Sequence, residues 1–285
     1  MQFIKDLTTY FKMIKFSHSI FALPFALASF VLASHQSHFS IMSLIWILIA
    51  MISARSAAMG FNRFIDHDID QKNPRTQNRE LPQGHISRKT TMSIIIFFSI
   101  IFVWSAFQLN NLCFKLSPLC LLILFFYSYT KRFTSFSHWF LGLALAIAPI
   151  GAWIAVRGQL SITSIIIALT VWGWVSGFDL IYSCMDIEFD QKNALFSFPS
   201  HYGIRIALIT ARFCHSITFM LFLWLGWHLH LNWFYYLGCA IIGGLFIYEH
   251  CLVHPQDMSH LEQAFFTANS YISIVFFIAI LIGIL

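Results

Sequence analysis

Nine apolar stretches succeed one another along this chain, at roughly 17–35, 41–61, 91–109, 112–129, 136–157, 161–182, 204–226, 232–249 and 264–285. Each is close to the ~20 residues that an α-helix needs to cross the hydrocarbon of a bilayer, where no backbone N–H or C=O can be left without a partner. Continuous apolar runs dominate over 3.6-residue stripes, and 58% of residues are hydrophobic against 10% charged. That composition excludes a soluble domain. The expectation is an all-α integral membrane protein, with nine transmembrane helices in one bundle and residues 1–285 forming a single domain.

Orientation follows from lysine and arginine, which stay on the cytoplasmic side in short loops. With the N-terminus inside, 15 of the 17 basic residues fall on that side, leaving Lys115 and Arg157 outside. The formal charge of +5 is then a product of topology and requires no nucleic-acid partner. Residues 1–15, basic but interrupted by Asp6, read as an interfacial lead-in rather than a cleaved signal peptide. Six cysteines without CxxC spacing are expected to be reduced thiols. The expected location is the inner (cytoplasmic) membrane, with the polar segments 62–90, 183–203 and 250–262 facing the cytoplasm.

Within those segments one phrase is written twice, Asp66-x-x-x-Asp70-Gln71-Lys72-Asn73 and Asp186-x-x-x-Asp190-Gln191-Lys192-Asn193. Of only 12 acidic residues, seven lie in or beside the two copies, so acid is concentrated rather than scattered. The copies follow the second and sixth spans, which predicts two four-helix repeats, spans 1–4 and 5–8, plus a ninth helix. On a helix, Asn62, Asp66 and Asp70 drift by only about 80° in total, and Arg55 lies about 20° from Asn62. One stripe thus carries a cation, an amide and two carboxylates; Asp68 falls off it. The second stripe reads Asp179-x-x-Tyr182-x-x-x-Asp186-x-x-x-Asp190, with Glu188 off it. Two oxygen-rich faces of this kind suit Mg²⁺ and a diphosphate.

A carboxylate at the Asp179 position, near the end of an apolar span, needs a cation, a metal or a phenol hydroxyl as partner. Pro74, Pro82 and Gly84 stop the first acidic helix and predict a short structured cap. Lys72, Arg75, Arg79, Lys131, Arg132 and Lys192 are the cations that can meet phosphate, although each taken alone reads equally well as a topology-setting loop residue. The third segment, with Glu249, His250, His254, Asp257, His260 and Glu262, is irregularly spaced and reads as a solvated loop rather than a metal cluster.

Taken in order, Arg55-x₆-Asn62-x-x-x-Asp66-x-x-x-Asp70, Asn73-Pro74-Arg75-Thr76, Arg79-Glu80-Leu81-Pro82-x-Gly84, Tyr127-x-x-x-Lys131-Arg132-Phe133-Thr134 and the second stripe resemble the UbiA superfamily of membrane prenyltransferases. The opening His18-Ser19-Ile20-Phe21-Ala22-Leu23-Pro24-Phe25-Ala26 looks most like its 4-hydroxybenzoate polyprenyltransferase-like branch. The resemblance implies a helical bundle with a central cavity open to lipid. In it Mg²⁺ held by Asp66, Asp70, Asp186 and Asp190 clamps a polyprenyl diphosphate. It further implies phosphate contacts from Asn62, Arg75, Arg79 and Lys131, a reaction centre lined by Tyr127 and Tyr182, and an aromatic acid acceptor near Arg55 and Asp179. Where the family often has an arginine near the start of the first span, this chain offers Lys15 and His18.

The reaction so implied is transfer of a polyprenyl group to a ring carbon of a 4-hydroxybenzoate-type acid in respiratory quinone biosynthesis. A dihydroxynaphthoate acceptor is the alternative within the class. A secondary transporter is the alternative outside it, because intramembrane carboxylates and repeats also mark transporters. Acids at span ends amid cationic loops, rather than at midplane breaks, favour the enzyme.

Overall fold

The computed structural model describes residues 2–15, 21–35, 37, 39–258, 261 and 264–285. His18 of the opening motif, and His260 and Glu262 of the third polar segment, lie outside the described residues. Apart from one isolated bridge between His254 and Asp257, the described residues form no β-pairing. The helices are α1 (Gln2–Met13), α2 (Leu23–His35), α3 (Ile41–Ile65), α4 (His67–Lys72), α5 (Arg88–Leu109), α6 (Asn111–Thr130), α7 (Ser137–Arg157), α8 (Ile162–Ser183), α9 (Ile187–Lys192), α10 (Phe198–Tyr202), α11 (Ile204–His228), α12 (Trp233–Cys251) and α13 (Asn269–Gly283).

Among the described residues, eight helical segments are long and apolar enough to cross a membrane. The remaining expected span is represented by α2, 13 apolar residues long. Large apolar side chains such as Ile100, Trp104, Leu122, Phe213, Met220 and Trp227 stand exposed on these helices, as they do when the solvent is lipid. This is a multi-pass membrane protein.

Contacts divide the chain into two compact units, residues 1–19 with 41–129, and residues 20–40 with 130–285. Each unit holds one copy of the duplicated phrase. The first apolar helix, α2, belongs to the second unit.

In the first unit α1 is a packed element, not merely a surface lead-in. Tyr10, Met13 and Ile14 are buried with Ala57, Leu81, Ile94 and Phe98, and the Tyr10 hydroxyl donates to the Ser56 carbonyl at 2.8 Å. Gly60 makes this possible, since a Cβ there would collide with the Tyr10 hydroxyl. Burial raises the Tyr10 phenol well above its ordinary pKa. In α6, Pro118 denies the Phe114 carbonyl its usual helical donor; the Ser117 hydroxyl takes over at 2.8 Å.

In the second unit α8 is enclosed, with 14 of its 22 residues buried. Phe25 of α2 stacks on Phe276 of α13 at 4.7 Å and meets Trp174 of α8 at 4.9 Å. Beside this aromatic core lies a polar network that corrects the reading of Glu249 and His250 as part of a solvated loop. Both sit on α12, and Glu249 is fully buried. The Asn269 amide donates to Glu249 Oε1 at 2.9 Å, and Trp174 Nε1 donates to Asn269 Oδ1 at 2.6 Å. His215 Nδ1 lies 3.0 Å from His250 Nε2 and 3.7 Å from Glu249 Oε2.

Candidate functional site

The two acidic phrases fold alike. The helix carrying Asn62 breaks at Asp66 (φ −84°, ψ 3°), and α4 resumes with Asp66 as its N-cap. In the second copy α8 passes through a 3₁₀ turn, Cys184–Asp186, and α9 resumes with Asp186 (φ −106°, ψ 7°) as its N-cap. The expected uninterrupted helix is therefore bent at the first aspartate of each phrase. The stripe survives the bend, because Asp66 N still donates to Asn62 O at 2.9 Å and Asp70 N to Asp66 O at 2.7 Å.

Burial sorts the acids as the helical-face argument requires. Asp66, Asp70 and Asp190 are buried and Asp186 is half-buried. The side chains of Asp68 and Glu188 are 81% and 90% exposed. Asp68 is hydrogen-bonded by His67 at 3.0 Å, which holds its carboxyl below the usual range.

In the first unit the Asn62 amide donates to Asp66 Oδ2 at 3.1 Å. Arg79 reaches back from the cap to place Nη1 at 2.7 and 2.8 Å from the two oxygens of Asp70. The cap is ordered by its own polar groups: Thr76 Oγ1 donates to the Asp70 carbonyl at 3.2 Å, Asn73 Oδ1 accepts from Arg75 N at 2.9 Å, and Gly84 turns the chain at φ +73°. The Arg75 side chain is exposed. About two turns before Asn62 on α3, Arg55 donates to the Lys15 carbonyl at 3.4 Å, while its buried Nε has no hydrogen-bond partner. Tyr127 lies within electrostatic range of Arg55.

Arg63 is a buried cation beside the acidic stripe that the stripe argument missed. It is buried, donates to Asn62 Oδ1 at 3.3 Å, and lies within electrostatic range of Asp66, Asp70 and Tyr127. Its position beside Asn62 put it about 100° off the stripe; a cation in an apolar span was the available signal.

In the second unit the partner of Asp179 is a histidine. Its Oδ2 lies 2.6 Å from His138 Nδ1. Tyr182 packs beside the cluster of Leu180, Ile181 and Phe198. Ser197 caps α10 through a capping box with Ser200. The Lys131 carbonyl accepts from Phe196 N at 2.8 Å, tying the start of the α6–α7 connection to this segment.

Among the described residues no three His, Cys, Asp or Glu side chains converge as a ready-made metal cage. Mg²⁺ does not need one, because it keeps several waters and binds through one or two carboxylates with substrate phosphate. Carboxylate pairs spaced four residues apart, three of the four buried, fit that requirement.

Residues 22–281 match the profile of the UbiA prenyltransferase family. The chain belongs to this family. It is 32% identical over 236 residues to the 4-hydroxybenzoate octaprenyltransferase of Psychromonas ingrahamii, covering 80% of this chain and 79% of that protein. The apo structure of a UbiA homolog from Aeropyrum pernix K1 is similar at 29% identity and a TM-score of 0.85, over 94% of this chain and 98% of the other. A UbiA homolog from Archaeoglobus fulgidus, solved bound to GPP and Mg²⁺, shares the fold at 18% identity and a TM-score of 0.70, over 95% and 99% of the two chains. In this UbiA-family chain the duplicated acidic phrase, the Arg79 cap and the Arg55 position all lie inside the matched region.

Proposed function

We propose that this protein transfers a polyprenyl group from polyprenyl diphosphate to a ring carbon of an aromatic acid of the 4-hydroxybenzoate type, in quinone biosynthesis at the inner (cytoplasmic) membrane. Asp66 and Asp70 on one stripe, and Asp186 and Asp190 on the other, are the residues that hold Mg²⁺. Bound Mg²⁺ supplies neutralisation of the departing diphosphate. Asn62, Arg75, Arg79 and Lys131 bind phosphate oxygens, and the phenol faces of Tyr127 and Tyr182 steady the allylic cation left when the C–O bond ionises.

An apolar groove of about 680 Å³ on the first unit, lined by residues including Phe61, Ile95, Val103, Trp104 and Phe125, supports room for an isoprenoid chain.

The observation that carries the acid acceptor is the orphaned Nε of Arg55. A buried guanidinium N–H without a partner is costly, and a carboxylate satisfies it with two parallel hydrogen bonds where a neutral phenol cannot. The P. ingrahamii relative supports 4-hydroxybenzoate; a dihydroxynaphthoate carries the same carboxylate.

The test incubates membranes containing the protein with labelled polyprenyl diphosphate, Mg²⁺ and a panel of 4-hydroxybenzoate, 1,4-dihydroxy-2-naphthoate and their decarboxylated counterparts. Prenylation of an acid, abolished by EDTA, is the expected result. Transfer to no aromatic acid, or equal use of acids and decarboxylated phenols, overturns the reading.

A further inference from the structure

We propose that His138 is the positioning residue for Asp179. It holds that carboxylate as a fixed hydrogen-bond acceptor for the hydroxyl of the aromatic substrate. The inference rests on the function proposed above.

The tautomer follows from the backbone. His138 Nε2 receives the Phe198 N–H at 3.3 Å, and a backbone N–H can only donate, so Nε2 is the unprotonated nitrogen. The neutral ring therefore carries its hydrogen on Nδ1, which points at Asp179 Oδ2 at 2.6 Å. Both ring nitrogens are committed, and the imidazole cannot flip without losing both bonds. The arrangement matches the way a histidine or carboxylate behind a working group fixes that group's orientation.

Accessibility divides the roles. The His138 side chain is 4% exposed and that of Asp179 is 21% exposed, so the imidazole is sealed while the carboxylate remains open to a ligand. Among the described residues of this unit, His138 is the only side-chain donor to Asp179. One carboxylate oxygen is thus anchored, and the other retains its acceptor capacity.

The scaffold behind the pair is stiff. His138 is the second residue of α7, and Asp179 lies four residues before the end of α8. These helices meet at backbone distance: a Cβ on Gly142 would stand 2.7 Å from the Trp172 carbonyl. The Trp172 indole also donates across to the Trp139 carbonyl at 2.8 Å.

A histidine needed only to hold the Phe198 N–H has no use for a carboxylate in an apolar span, where it is costly. For ring alkylation the carboxylate has a use. As the C–O bond to diphosphate breaks and the ring carbon bonds to the allylic carbon, the ring hydroxyl gives up electron density and becomes a stronger donor; the ring carbon then sheds its hydrogen as a proton to the released diphosphate, which restores the aromatic ring. A fixed carboxylate then binds the transition state more tightly than the ground state.

The test compares His138→Asn, His138→Gln and His138→Ala in the full chain, in membranes, with labelled polyprenyl diphosphate and 4-hydroxybenzoate. Asparagine places an N–H where Nδ1 stands; glutamine reaches the Nε2 position and serves only the Phe198 N–H. The expected result is that Gln and Ala lower kcat by about tenfold or more while KM for polyprenyl diphosphate stays within about twofold, and that Asn recovers most of kcat. In an Asp179→Asn background, His138→Ala should cost less than about a further twofold.

Rescue by Gln with failure of Asn overturns the proposal, because the ring then serves the backbone. Additive losses in the double variant overturn it as well. An active parent protein with unaffected variants removes the pair alone, whereas a parent that prenylates no aromatic acid removes the functional reading itself.

Discussion

Arg79 Nη1 bridges both carboxylate oxygens of Asp70, at 2.7 and 2.8 Å, and the Asp70 side chain is only 5% exposed. A guanidinium in that position occupies the lone pairs that a divalent ion would use. Removing it should therefore help the metal and harm the diphosphate. Arg79→Gln is expected to bind Mn²⁺ alone about tenfold more tightly, read by electron paramagnetic resonance, while polyprenyl diphosphate binds about tenfold more weakly. Unchanged Mn²⁺ affinity would count against Asp70 as a ligand.

The contrast between buried and exposed acids gives a second outcome. Asp66→Ala, Asp70→Ala, Asp186→Ala and Asp190→Ala should each lower transfer by roughly 10²-fold or more, because carboxylates that serve one metal act as a unit. Asp68→Ala and Glu188→Ala, on side chains 81% and 90% exposed, should stay within about twofold. Equal losses in the two sets would contradict the face assignment.

For Arg55 the expected change is one of acceptor choice. Arg55→Ala should raise KM for 4-hydroxybenzoate by about tenfold or more and erase its advantage over phenol, with prenyl diphosphate binding largely kept. Arg55→Lys should recover little, since an ammonium cannot repeat the two-pronged contact. Loss of diphosphate binding in either variant would place Arg55 elsewhere in the reaction.

The Tyr10–Gly60 contact predicts a stability effect separable from chemistry. Gly60→Val forces the phenol off Gly60 and breaks its bond to Ser56, and it should lower Tm in detergent by several degrees. Tyr10→Phe should cost about 1 kcal/mol by losing the hydrogen bond alone. Unaltered melting in both would show that α1 is not docked in solution.

The basic bias predicts that the N-terminus and the acidic segments face the cytoplasm. Cysteines introduced at Lys89 and Lys192 should resist a membrane-impermeant thiol reagent in intact cells and react in inverted vesicles. Labelling from outside at either position would reverse the topology.

The sequence carried the helical architecture because apolar run length is a direct consequence of bilayer thickness, and it carried Asp66, Asp70, Asp186 and Asp190 because a period of four is visible without coordinates. It also separated Asp68 and Glu188 correctly by angle alone. The bend at Asp66 and Asp186 was hidden: neither break contains Gly or Pro, and the i to i+4 backbone bonds run through the first one. The pairing of His138 with Asp179 spans 41 residues, and no local pattern announces it. Glu249 and His250 looked solvated because they border a polar segment; the partner that buries Glu249 lies on another helix, at Asn269.

That last pairing bears on how the protein is made. Asn269 belongs to α13 and leaves the ribosome after the helix that bears Glu249 has been synthesised. Until α13 arrives, the carboxyl must wait in the bilayer with only side chains made earlier, such as His215, for company. Closure of this core is consequently tied to translation of residues beyond 268. A chain released too early lacks the amide that meets this acid, and keeps in the bilayer a carboxyl of the kind that is costly there.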